Sequence, residues 1–446
     1  MSRYLFFDDG IIDEKKGVFR ECHRPIKSEH NPILKPSLPW ETEIVYLYGT
    51  VSRDKRTQEF RMWYDAQGEE GITICYASSV DGINWERPLL GIIEYLGSRD
   101  NNIVLKSEGF GNLLTPSVLI IPGEDKSSDE RYRLIYWEDS RKGRSGGCVA
   151  FSKDGLNWRK YSGNPVFCEP NDVLNCIYDE RHGRFVCFQT LLLHNPSFYY
   201  PQDNLPGMKR VISIRESEDS INWSEQEKII EPDSLDPPDL QFYGMSGFNY
   251  EDIYLGFLWT YHTEPQTSDI ELIFSRDCRN WERVNKNEPF ISLGEPGSFD
   301  SHLIYTPNQP IIKKGEELLI YYSGWDGPHN SSRRKAAIGL ARLRTDGFLS
   351  YRALSSGFIL TTPILFEGRS LFVNVDAENG ALWVEMLNPS GEVIKGFKKE
   401  DCREITSNST RELVRWKNDG LERLMGKRIR LRFYLKEARL FSFWFE

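Results

Sequence analysis

Short runs of β-branched and aromatic residues alternate with polar, turn-rich segments over most of the chain. Gly71–Ala77 and Ile270–Phe274 are two such runs, and each is followed directly by Ser and Asp. Apolar runs of this length, bounded by Gly, Asn, Asp and Ser, are typical of β-strands, whereas an amphipathic helix needs a longer stretch with helical periodicity. The pattern therefore predicts an all-β protein built from many short strands.

One polar heptad follows these runs repeatedly and sets the architecture. It reads Ser-Val-Asp-Gly-Ile-Asn-Trp at residues 79–85, returns with substitutions at 152–158, 217–223 and 275–281, and has a weaker copy at 345–351. In turns, Ser and Asp side chains hydrogen-bond nearby backbone groups, and Gly or Asn adopts a positive φ at little cost. Five copies of one supersecondary unit predict a five-bladed β-propeller with about four strands per blade. The heptads themselves are predicted to be structural.

The order of the strands suggests two domains. We expect the propeller over residues 1–354, with inner strands that open near residues 41, 113, 172, 240 and 300. The extended segment Tyr4–Ile12 is expected to supply the outer strand of the last blade and to close the ring. From about residue 355 the chain becomes a series of short alternating strands that ends in Leu440–Phe445, which predicts a C-terminal β-sandwich over residues 355–446.

The charge and the cysteine pattern narrow the function classes. The 446 residues carry a formal net charge of -10 and no clustered basic patch, which argues against nucleic acid as a partner. No apolar run has the length needed to cross a bilayer, and no leader pattern opens the chain, so we expect a cytoplasmic protein without a membrane partner. Eight cysteines without CxxC spacing and seven histidines without ligand spacing predict reduced thiols, no metal site and no cofactor. The oligomeric state is left open.

Acidic residues recur at the starts of the expected inner strands. In a propeller these starts converge on one funnel, although they lie far apart in sequence. Carboxyl groups that face one funnel suit glycoside hydrolysis, in which one protonates the leaving oxygen and another acts as nucleophile or as base. Asp300 is the first candidate, because His302 lies on the same face of its strand. The candidate catalytic acids are Asp300, Glu41, Asp172, Asp239 and Asp9.

Aromatic and polar residues near these acids are expected to bind a sugar. Trp40 can stack on a sugar ring and hold Glu41 in a drier setting that raises its pKa. His262 and His329 follow second strands, whose loops reach over the mouth of a propeller. Glu138 and Asp139 are expected to lean in from the second strand of blade two. The candidate substrate-binding residues are Trp40, Asp65, Glu138, Tyr243, His262, His302, Tyr322 and His329.

With five blades, serial Ser-x-Asp-Gly-x-x-Trp turns and a C-terminal sandwich, the chain resembles the five-bladed propeller glycosidases. It is similar in plan to family 32 glycoside hydrolases, and more distantly to families 43 and 130, with Asn101–Val104, Tyr321–Gly324 and Leu431–Leu435 as the matching segments. The resemblance implies a carbohydrate substrate and carboxylate catalysis. The Asn-Asp-Pro-Asn, Arg-Asp-Pro and Glu-Cys-Pro segments of family 32 do not occur here. Asp8-Asp9-Gly10 occupies the place of the first, and no family residue is transferred.

Three functions remain open at this point. The first is hydrolysis of a terminal or short-chain glycosidic bond, with a furanoside among the candidate substrates, by acid/base carboxylates in the funnel. The second is glycoside phosphorolysis or glycosyl transfer, which needs a cationic pocket, with Arg210, Arg333 or Arg334 as its source. The third is a sugar-binding propeller without chemistry. The acids at the inner strand starts, with the aromatic and histidine residues of the loops, favour hydrolysis.

Overall fold

A computed structural model describes residues 3–108, 111–123, 128–139, 143–168, 171–197, 200–417 and 420–446. Within these ranges the regular structure is β-strand, apart from two short 3₁₀-helices, Lys399–Asp401 and Leu421–Leu424. The chain forms two compact units: residues 25–312 with 319–342, and residues 1–24 with 313–318 and 343–446. The prediction of an all-β protein with a propeller and a sandwich is confirmed.

The larger unit is the five-bladed propeller, in which each blade is a small antiparallel sheet. Blade one contains Ile44–Arg53, Phe60–Gly68, Gly71–Ser79 and Ile103–Leu105. Blade two contains Asn112–Ile120, Tyr132–Asp139, Gly146–Ser152 and Arg159–Lys160. Blade three contains Leu174–Asp179, Arg184–His194, Met208–Ser217 and Glu227–Ile230. Blade four contains Leu240–Tyr250, Ile253–His262, Thr267–Ser275 and Glu282–Arg283. Blade five contains Leu303–Tyr305, Ile311–Lys314, Glu317–Trp325, Ala336–Arg344 and the outer strand Ile26–Lys27.

The recurring heptads form the turns that leave the third strands. In the third copy, Asp219 accepts hydrogen bonds from the backbone N–H groups of Ile221 and Asn222, at 2.8 and 2.7 Å. Although partial burial raises it, these bonds lower the pKa of Asp219 to about 2. The fourth position of each of the first four copies has a positive φ, for example 79° at Gly155 and 68° at Ser220. The heptads are therefore structural turns, as their residue types predict.

The tryptophans that end the heptads join neighbouring blades. Trp223 of blade three lies edge-on to Phe167, which follows blade two, with ring centroids 5.7 Å apart. Trp281 of blade four meets Phe188 of blade three in the same way, also at 5.7 Å. Because each blade buries its apolar face only against its neighbours, the repeated tryptophan is a packing element of the whole ring.

The strand that completes blade five is not the one that the sequence suggested. Arg3–Leu5 pairs with Arg439–Phe445 in the smaller unit, where the Tyr4 ring stacks on Phe443 at 4.7 Å. Blade five is completed instead by Ile26–Lys27, which pairs antiparallel with Ala341 and Arg342. The prediction that Tyr4–Ile12 closes the propeller is therefore wrong. The aromatic side chains of this segment are matched by aromatic partners in the sandwich, which explains its place there.

Buried hydrogen bonds between blades close the propeller axis behind the starts of the inner strands. Asn308 of blade five accepts a bond from Thr50 of blade one at 2.7 Å, and its Nδ2 donates to the Cys176 carbonyl of blade three at 2.9 Å. The Ser246 and Thr306 hydroxyls lie 2.8 Å apart and link blades four and five. These bonds connect blades one, three, four and five through buried polar side chains and fix the positions of the residues in front of them.

The smaller unit is a sandwich of two antiparallel sheets. The first sheet contains Phe19–Cys22, Leu349–Arg352, Arg439–Phe445, Leu371–Asp376, Asn408–Leu413 and Arg3–Leu5. The second sheet contains Ile12–Lys16, Ser356–Thr361, Arg428–Lys436, Ile364–Leu365 and Ala381–Leu387. Apolar side chains from both sheets, including Val373, Leu431 and Phe443, form one core. Since the N-terminal 24 residues belong to this unit, the predicted boundary at residue 355 is corrected.

Candidate active site

Aromatic side chains line the mouth of the propeller, by which we mean the starts of its inner strands at residues 44–48, 112–117, 172–176, 240–246 and 303–305. Tyr305 is at the centre of this set, with ring centroids 4.7 Å from Trp259 and 5.1 Å from Tyr243. Tyr48 approaches Tyr305 and Trp325 at 5.5 and 5.8 Å. The rings form a continuous wall across blades one, four and five. Aromatic faces of this kind can pack against the apolar faces of a sugar ring.

Irregular pairing of the inner strands brings several of these side chains into the mouth. In blade one the register shifts between Tyr46 and Thr50, so that Tyr48 lies in a bulge opposite the second strand. In blade four it shifts between Phe242 and Gly244, which leaves Tyr243 as the extra residue. Bulges redirect side chains and are frequent next to active sites. A strict two-residue alternation would have pointed these tyrosines elsewhere.

Asp65 is a fully buried carboxyl group opposite Tyr46 in the first two strands of blade one. Neither of its carboxyl oxygens has a hydrogen bond of good geometry with any described residue. Burial raises the pKa of Asp65 well above its usual value, against a smaller opposing effect of the backbone N–H groups of Tyr48 and Asp65 itself. Burial thus favours the protonated, neutral form of this side chain.

Asp172 is the second acid of the mouth, immediately before the inner strand of blade three. It is half-buried. Burial raises the pKa of Asp172, and the charge of Asp139 raises it further, while Arg210 opposes the change. Both Asp65 and Asp172 also raise the pKa of Tyr46, after burial, so the two carboxyl groups share the surroundings of that phenol. A carboxyl group with a raised pKa is suited to donate a proton.

Asp139 supplies a carboxylate near Asp172. It ends the second strand of blade two, is exposed to solvent, and accepts a hydrogen bond from Ser145 at 3.0 Å. Its neighbour Glu138 points the other way, where Lys160 binds both of its oxygens at 3.0 Å and Ser107 donates at 2.7 Å. Of the two residues expected to lean in from this strand, only Asp139 acts on Asp172. Glu138 is therefore corrected to a structural ion pair.

Further polar atoms in this region lack partners. Asn175, on the inner strand of blade three, is fully buried, and neither atom of its amide is hydrogen-bonded to a described residue. The Tyr305 hydroxyl is buried and without such a partner as well. A buried polar group without a hydrogen bond costs about 1–3 kcal/mol, so this arrangement suits ligand hydroxyls or ordered water. Asp65, Asn175 and Tyr305 come from three different blades.

His329 and Tyr243 form the wall of the mouth on the side of blades four and five. The His329 Nε2 atom lies 2.9 Å from the Tyr243 hydroxyl, and its Nδ1 atom lies 3.0 Å from Asn330. Burial, and then the charges of Arg334 and Arg210, lower the pKa of His329 to about 4. The imidazole is therefore neutral at pH 7 and can donate or accept a hydrogen bond. Tyr243 and His329 agree with their predicted place at the mouth.

Two arginines differ in how far they are paired. Arg210 is buried and makes a bidentate ion pair with Asp203, at 2.9 and 3.2 Å. Arg334 is half-buried and forms no hydrogen bond or ion pair with the described part of the chain. Burial is the largest influence on the pKa of the residues around it, and it raises the pKa of Tyr46, Tyr48, Tyr243 and Tyr305, while the Arg334 charge lowers it. In His329, burial and the Arg334 charge both lower the pKa. Arg334 is thus an unpaired cation near the mouth, within the part of the chain that the structure describes.

Glu41 and Trp40 do not belong to this group. Glu41 is fully buried and accepts hydrogen bonds from the Tyr64 hydroxyl at 2.8 Å, from Arg87 at 2.7 Å and from the backbone of Ser37 at 2.9 Å. The Trp40 indole donates to Asn102 at 2.7 Å within the core of blade one. We therefore correct both assignments: Glu41 fastens the entry to blade one, and Trp40 packs in its core.

We expect Glu41→Gln to destabilise the protein by about 2–3 kcal/mol, because it leaves Arg87 without its counter-charge at a largely buried position. Urea unfolding of the variant tests this, with Glu43→Gln as the matched control, since Glu43 is exposed and its bond to Lys335 is a surface pair. The control should change stability by less than about 0.5 kcal/mol. A Glu41→Gln protein of wild-type stability that had lost turnover would return Glu41 to the catalytic residues.

Asp300 and its neighbours also have structural partners. Asp300 is buried and accepts bonds from Lys27 at 2.6 Å, from the Tyr322 hydroxyl at 2.9 Å and from Ser298 at 2.9 Å. Tyr322 is itself buried and accepts a further bond from Asn31. His302 contacts the Ser301 hydroxyl at 2.9 Å. The predictions of a catalytic Asp300 and a sugar-binding Tyr322 are corrected: these residues attach the outer strand of blade five.

The remaining candidates lie in two other places. Asp239 and His262 form a partly exposed pair at blade four, with Oδ1 and Nδ1 3.4 Å apart. His262 stays a predicted binding residue and Asp239 a predicted catalytic acid, both at the rim of the mouth. Asp9 belongs to the smaller unit, where it binds Lys15 at 2.7 Å and Arg20 at 2.5 Å. The prediction of a catalytic Asp9 is therefore corrected.

The described residues contain no group of three or more His, Cys, Asp or Glu side chains arranged to hold a metal ion. Across the same ranges, no helix has the length and apolar character needed to span a membrane.

The structure can be compared with known proteins at this point. No protein-family model and no curated protein matches the chain. A β-1,2-mannobiose phosphorylase from Listeria innocua is similar in structure, with 14% identity, a TM-score of 0.50, and coverage of 72% of this chain and 96% of that one. An N-acetylgalactosamine deacetylase from F. plautii has 14% identity and a TM-score of 0.49, covering 74% and 96%. A glycosyl hydrolase from Bacteroides ovatus has 13% identity and a TM-score of 0.48, covering 72% and 94%. At 14% identity the similarity to the phosphorylase shows a shared fold and assigns no activity.

Proposed function

We propose that the protein is a glycoside hydrolase that cleaves a terminal or short-chain glycosidic bond at the propeller mouth. The observation that carries the proposal is the partially buried Asp172, with its raised pKa, beside the Asp139 carboxylate and in front of an aromatic wall. Two carboxyl groups in different protonation states are what glycoside cleavage requires. The plan of propeller and sandwich is consistent with a family-32-like enzyme.

In this mechanism the proton of Asp172 goes to the leaving glycosidic oxygen as its bond to the anomeric carbon breaks. The Asp139 carboxylate is the second carboxyl group of the pair: it either takes a proton from the water molecule whose oxygen bonds to the anomeric carbon, or bonds to that carbon itself before water hydrolyses the intermediate. Tyr48 and Tyr243, which are partly exposed, hold the faces of the sugar ring, with the buried Trp259 ring behind them. The buried Asn175 amide and Tyr305 hydroxyl, which lack partners among the described residues, suit ordered water behind this surface. Asp65 lies opposite Tyr46 in the paired strands, where burial raises its pKa and favours the protonated form.

A second reaction is favoured by one specific observation, the unpaired Arg334. A guanidinium without a protein counter-ion suits a phosphate oxygen, which would replace water as the acceptor of the glycosyl group. The same Asp172 proton would then assist departure of the leaving group. Arg210 is already neutralised by Asp203, whereas Arg334 remains available for this role.

The experiment that tests both reactions is turnover of a panel of aryl furanosides, aryl pyranosides and fructo-oligosaccharides, with and without inorganic phosphate. Release of reducing sugar that does not depend on phosphate is expected for the hydrolase. Turnover only with phosphate, and accumulation of a sugar phosphate, would replace hydrolysis by phosphorolysis. A folded protein that binds sugars from the panel in calorimetry without converting any of them would contradict both and support a binding propeller.

A further inference from the structure

Three loops that reach over the mouth are fastened to one another across blades three, four and five. They connect the second and third strands of these blades and comprise Tyr200–Gly207, residues 263–266 and residues 326–335. Since the second strand of each blade runs towards the mouth, all three loops lie at that end of the propeller. Loops of this kind usually move independently, so bonds between them need an explanation.

The fastening centres on the backbone carbonyl of Gln202, in the loop of blade three. It accepts hydrogen bonds from Gln266 Nε2 of blade four and from Asn330 Nδ2 of blade five, both at 2.5 Å. The Asn330 N–H donates in turn to Gln266 Oε1 at 2.9 Å, and the His329 N–H donates to the Gln266 carbonyl at 3.2 Å. We call this group of Gln202, Gln266 and Asn330 the clasp.

The blade-three loop is also anchored from below by a buried ion pair. Arg210 binds both oxygens of Asp203, and it donates to Gln241 at 2.7 Å and to Asn204 at 2.6 Å. The Tyr261 hydroxyl donates to Asp203 at 3.1 Å. Both charged side chains are about 2% exposed. Burying such a pair is costly and adds little stability compared with apolar residues, which suggests that it is retained for the conformation it specifies.

The anchor and the clasp meet at the wall that the candidate site uses. The Arg210 guanidinium lies 5.5 Å from the Tyr243 ring and 5.3 Å from the Tyr261 ring. The His329 ring packs on the same two tyrosines, at 5.1 and 5.2 Å, and contacts the Tyr243 hydroxyl. The loop of blade three is therefore connected to the Tyr243–His329 wall in two ways, through the Asp203–Arg210 ion pair and through the clasp.

We propose that Asp203 and Arg210, together with the clasp, are positioning residues that fix the Tyr243–His329 wall against which the sugar is bound. The proposal rests on the proposed function for its purpose, since the wall is the predicted sugar-binding surface. It concerns residues that contact neither the reacting carboxyl groups nor the bond that is cleaved. Breaking the Asp203–Arg210 ion pair should expose Tyr243 and His329 to water. If the pair only stabilised the fold, its loss would leave their exposure unchanged.

The titration of His329 reports on this wall without a substrate. Burial is the largest influence and lowers its pKa, the charges of Arg334 and Arg210 lower it further, and Asp203 raises it. Tyr243 and Tyr261 are the other titratable groups that pack on the ring. Removal of the Asp203 charge alone would therefore lower the pKa of His329. Entry of water would do the opposite and bring it towards the ordinary value of about 6.5.

The test is NMR titration of the His329 Cε1–H resonance, assigned from its loss in His329→Gln, in wild type and in Asp203→Asn. The proposal predicts a rise in the pKa of His329 in the variant. A fall, or no change, in a folded variant would overturn it, because the wall would then be intact without its anchor. Turnover is not used, so a wild type that converted no glycoside would refute the proposed function and leave this result to stand or fall by itself.

Glu271→Gln is the matched control. It removes one partner of another buried pair in blade four, in which Arg283 binds Glu271 at 2.6 and 2.7 Å. It should lower stability in a similar way and leave the His329 titration at its wild-type position. A shift as large as that in Asp203→Asn would overturn the assignment to this particular pair.

Gln266→Gly provides a second variant in case Asp203→Asn does not fold. Gln266 has a φ of 56°, which glycine adopts without strain, so the substitution removes the two bonds that the Gln266 side chain makes in the clasp and keeps the backbone. The pKa of His329 should rise here as well, by less than in Asp203→Asn. A wild-type titration in Gln266→Gly would remove the clasp from the positioning unit and contradict the proposal as stated.

Discussion

Replacement of Asp172 by Asn is expected to lower kcat/KM on a glycoside with a poor leaving group by about 10²- to 10⁴-fold, the usual contribution of a general acid. The amide has nearly the same size, so the mouth should keep its shape, but it cannot give a proton to the departing oxygen. Initial rates with the best substrate of the panel, together with circular dichroism to verify folding, measure the effect. Unchanged kcat/KM in a folded variant would remove Asp172 from the mechanism.

Asp300→Asn is the control for that experiment. Asp300 is a buried acid at the start of an inner strand too, but Lys27, Tyr322 and Ser298 occupy its oxygens. We expect the variant to lose about 1–3 kcal/mol of stability and to keep kcat/KM within about tenfold of wild type at a temperature where it is folded. If Asp300→Asn lost activity to the same extent as Asp172→Asn, the division of the acids into structural and catalytic groups would be contradicted.

Asp65→Asn is expected to make the protein more stable than wild type at pH 8. Burial raises the folded-state pKa of Asp65 well above its unfolded value. The folded protein therefore holds this proton more tightly, so the stabilising effect is complete below the unfolded pKa and is lost as the pH rises towards the folded pKa. The loss amounts to at most about 1.4 kcal/mol per pH unit. Because asparagine cannot ionise, the variant does not lose this stability as the pH rises.

Urea unfolding of wild type and Asp65→Asn at pH 4, 6 and 8 measures this difference, which should grow with pH. Asp219→Asn is a control with the opposite sign, because hydrogen bonds outweigh burial and lower the pKa of Asp219 to about 2. That variant should be less stable than wild type at neutral pH, and the difference should disappear as the pH falls towards 2. A stability difference for Asp65→Asn that is the same at all three pH values would show that the acid is not held neutral by burial.

The sequence was sufficient to predict the architecture because the residues within each heptad determine the turn that it forms. Asp154 and Asn157 make the same bonds in the second copy as Asp219 and Asn222 make in the third, so residue type alone determines the turn. The inner strands of blades two to five begin within a few residues of the predicted positions for the same reason. The N-terminal strand was misplaced because its partner, Arg439–Phe445, is distant in sequence and no local pattern identifies it.

The candidate site was only partly predictable, and the acids show why. Glu41, Asp172 and Asp300 all occur at strand starts, and only the structure shows that Arg87 and Lys27 neutralise two of them. Tyr46, Tyr48 and Asn175 were missed. Tyr46 and Tyr48 form a two-residue alternation that reads as an ordinary strand, and the bulge that redirects Tyr48 has no signal in the sequence apart from Gly49. Asp65 was found only as a binding candidate, since burial cannot be read from its position after Tyr64.

The central claim, that Asp172 is the general acid of a glycosidase at the mouth, is tested most directly by comparing two leaving groups. Wild type and Asp172→Asn are assayed with a 2,4-dinitrophenyl glycoside, which departs without a proton, and with the matching alkyl glycoside, which needs one. Our account predicts that the variant retains most of its kcat/KM on the first and loses about 10²- to 10⁴-fold on the second. An equal loss on both substrates, in a folded variant, would contradict it.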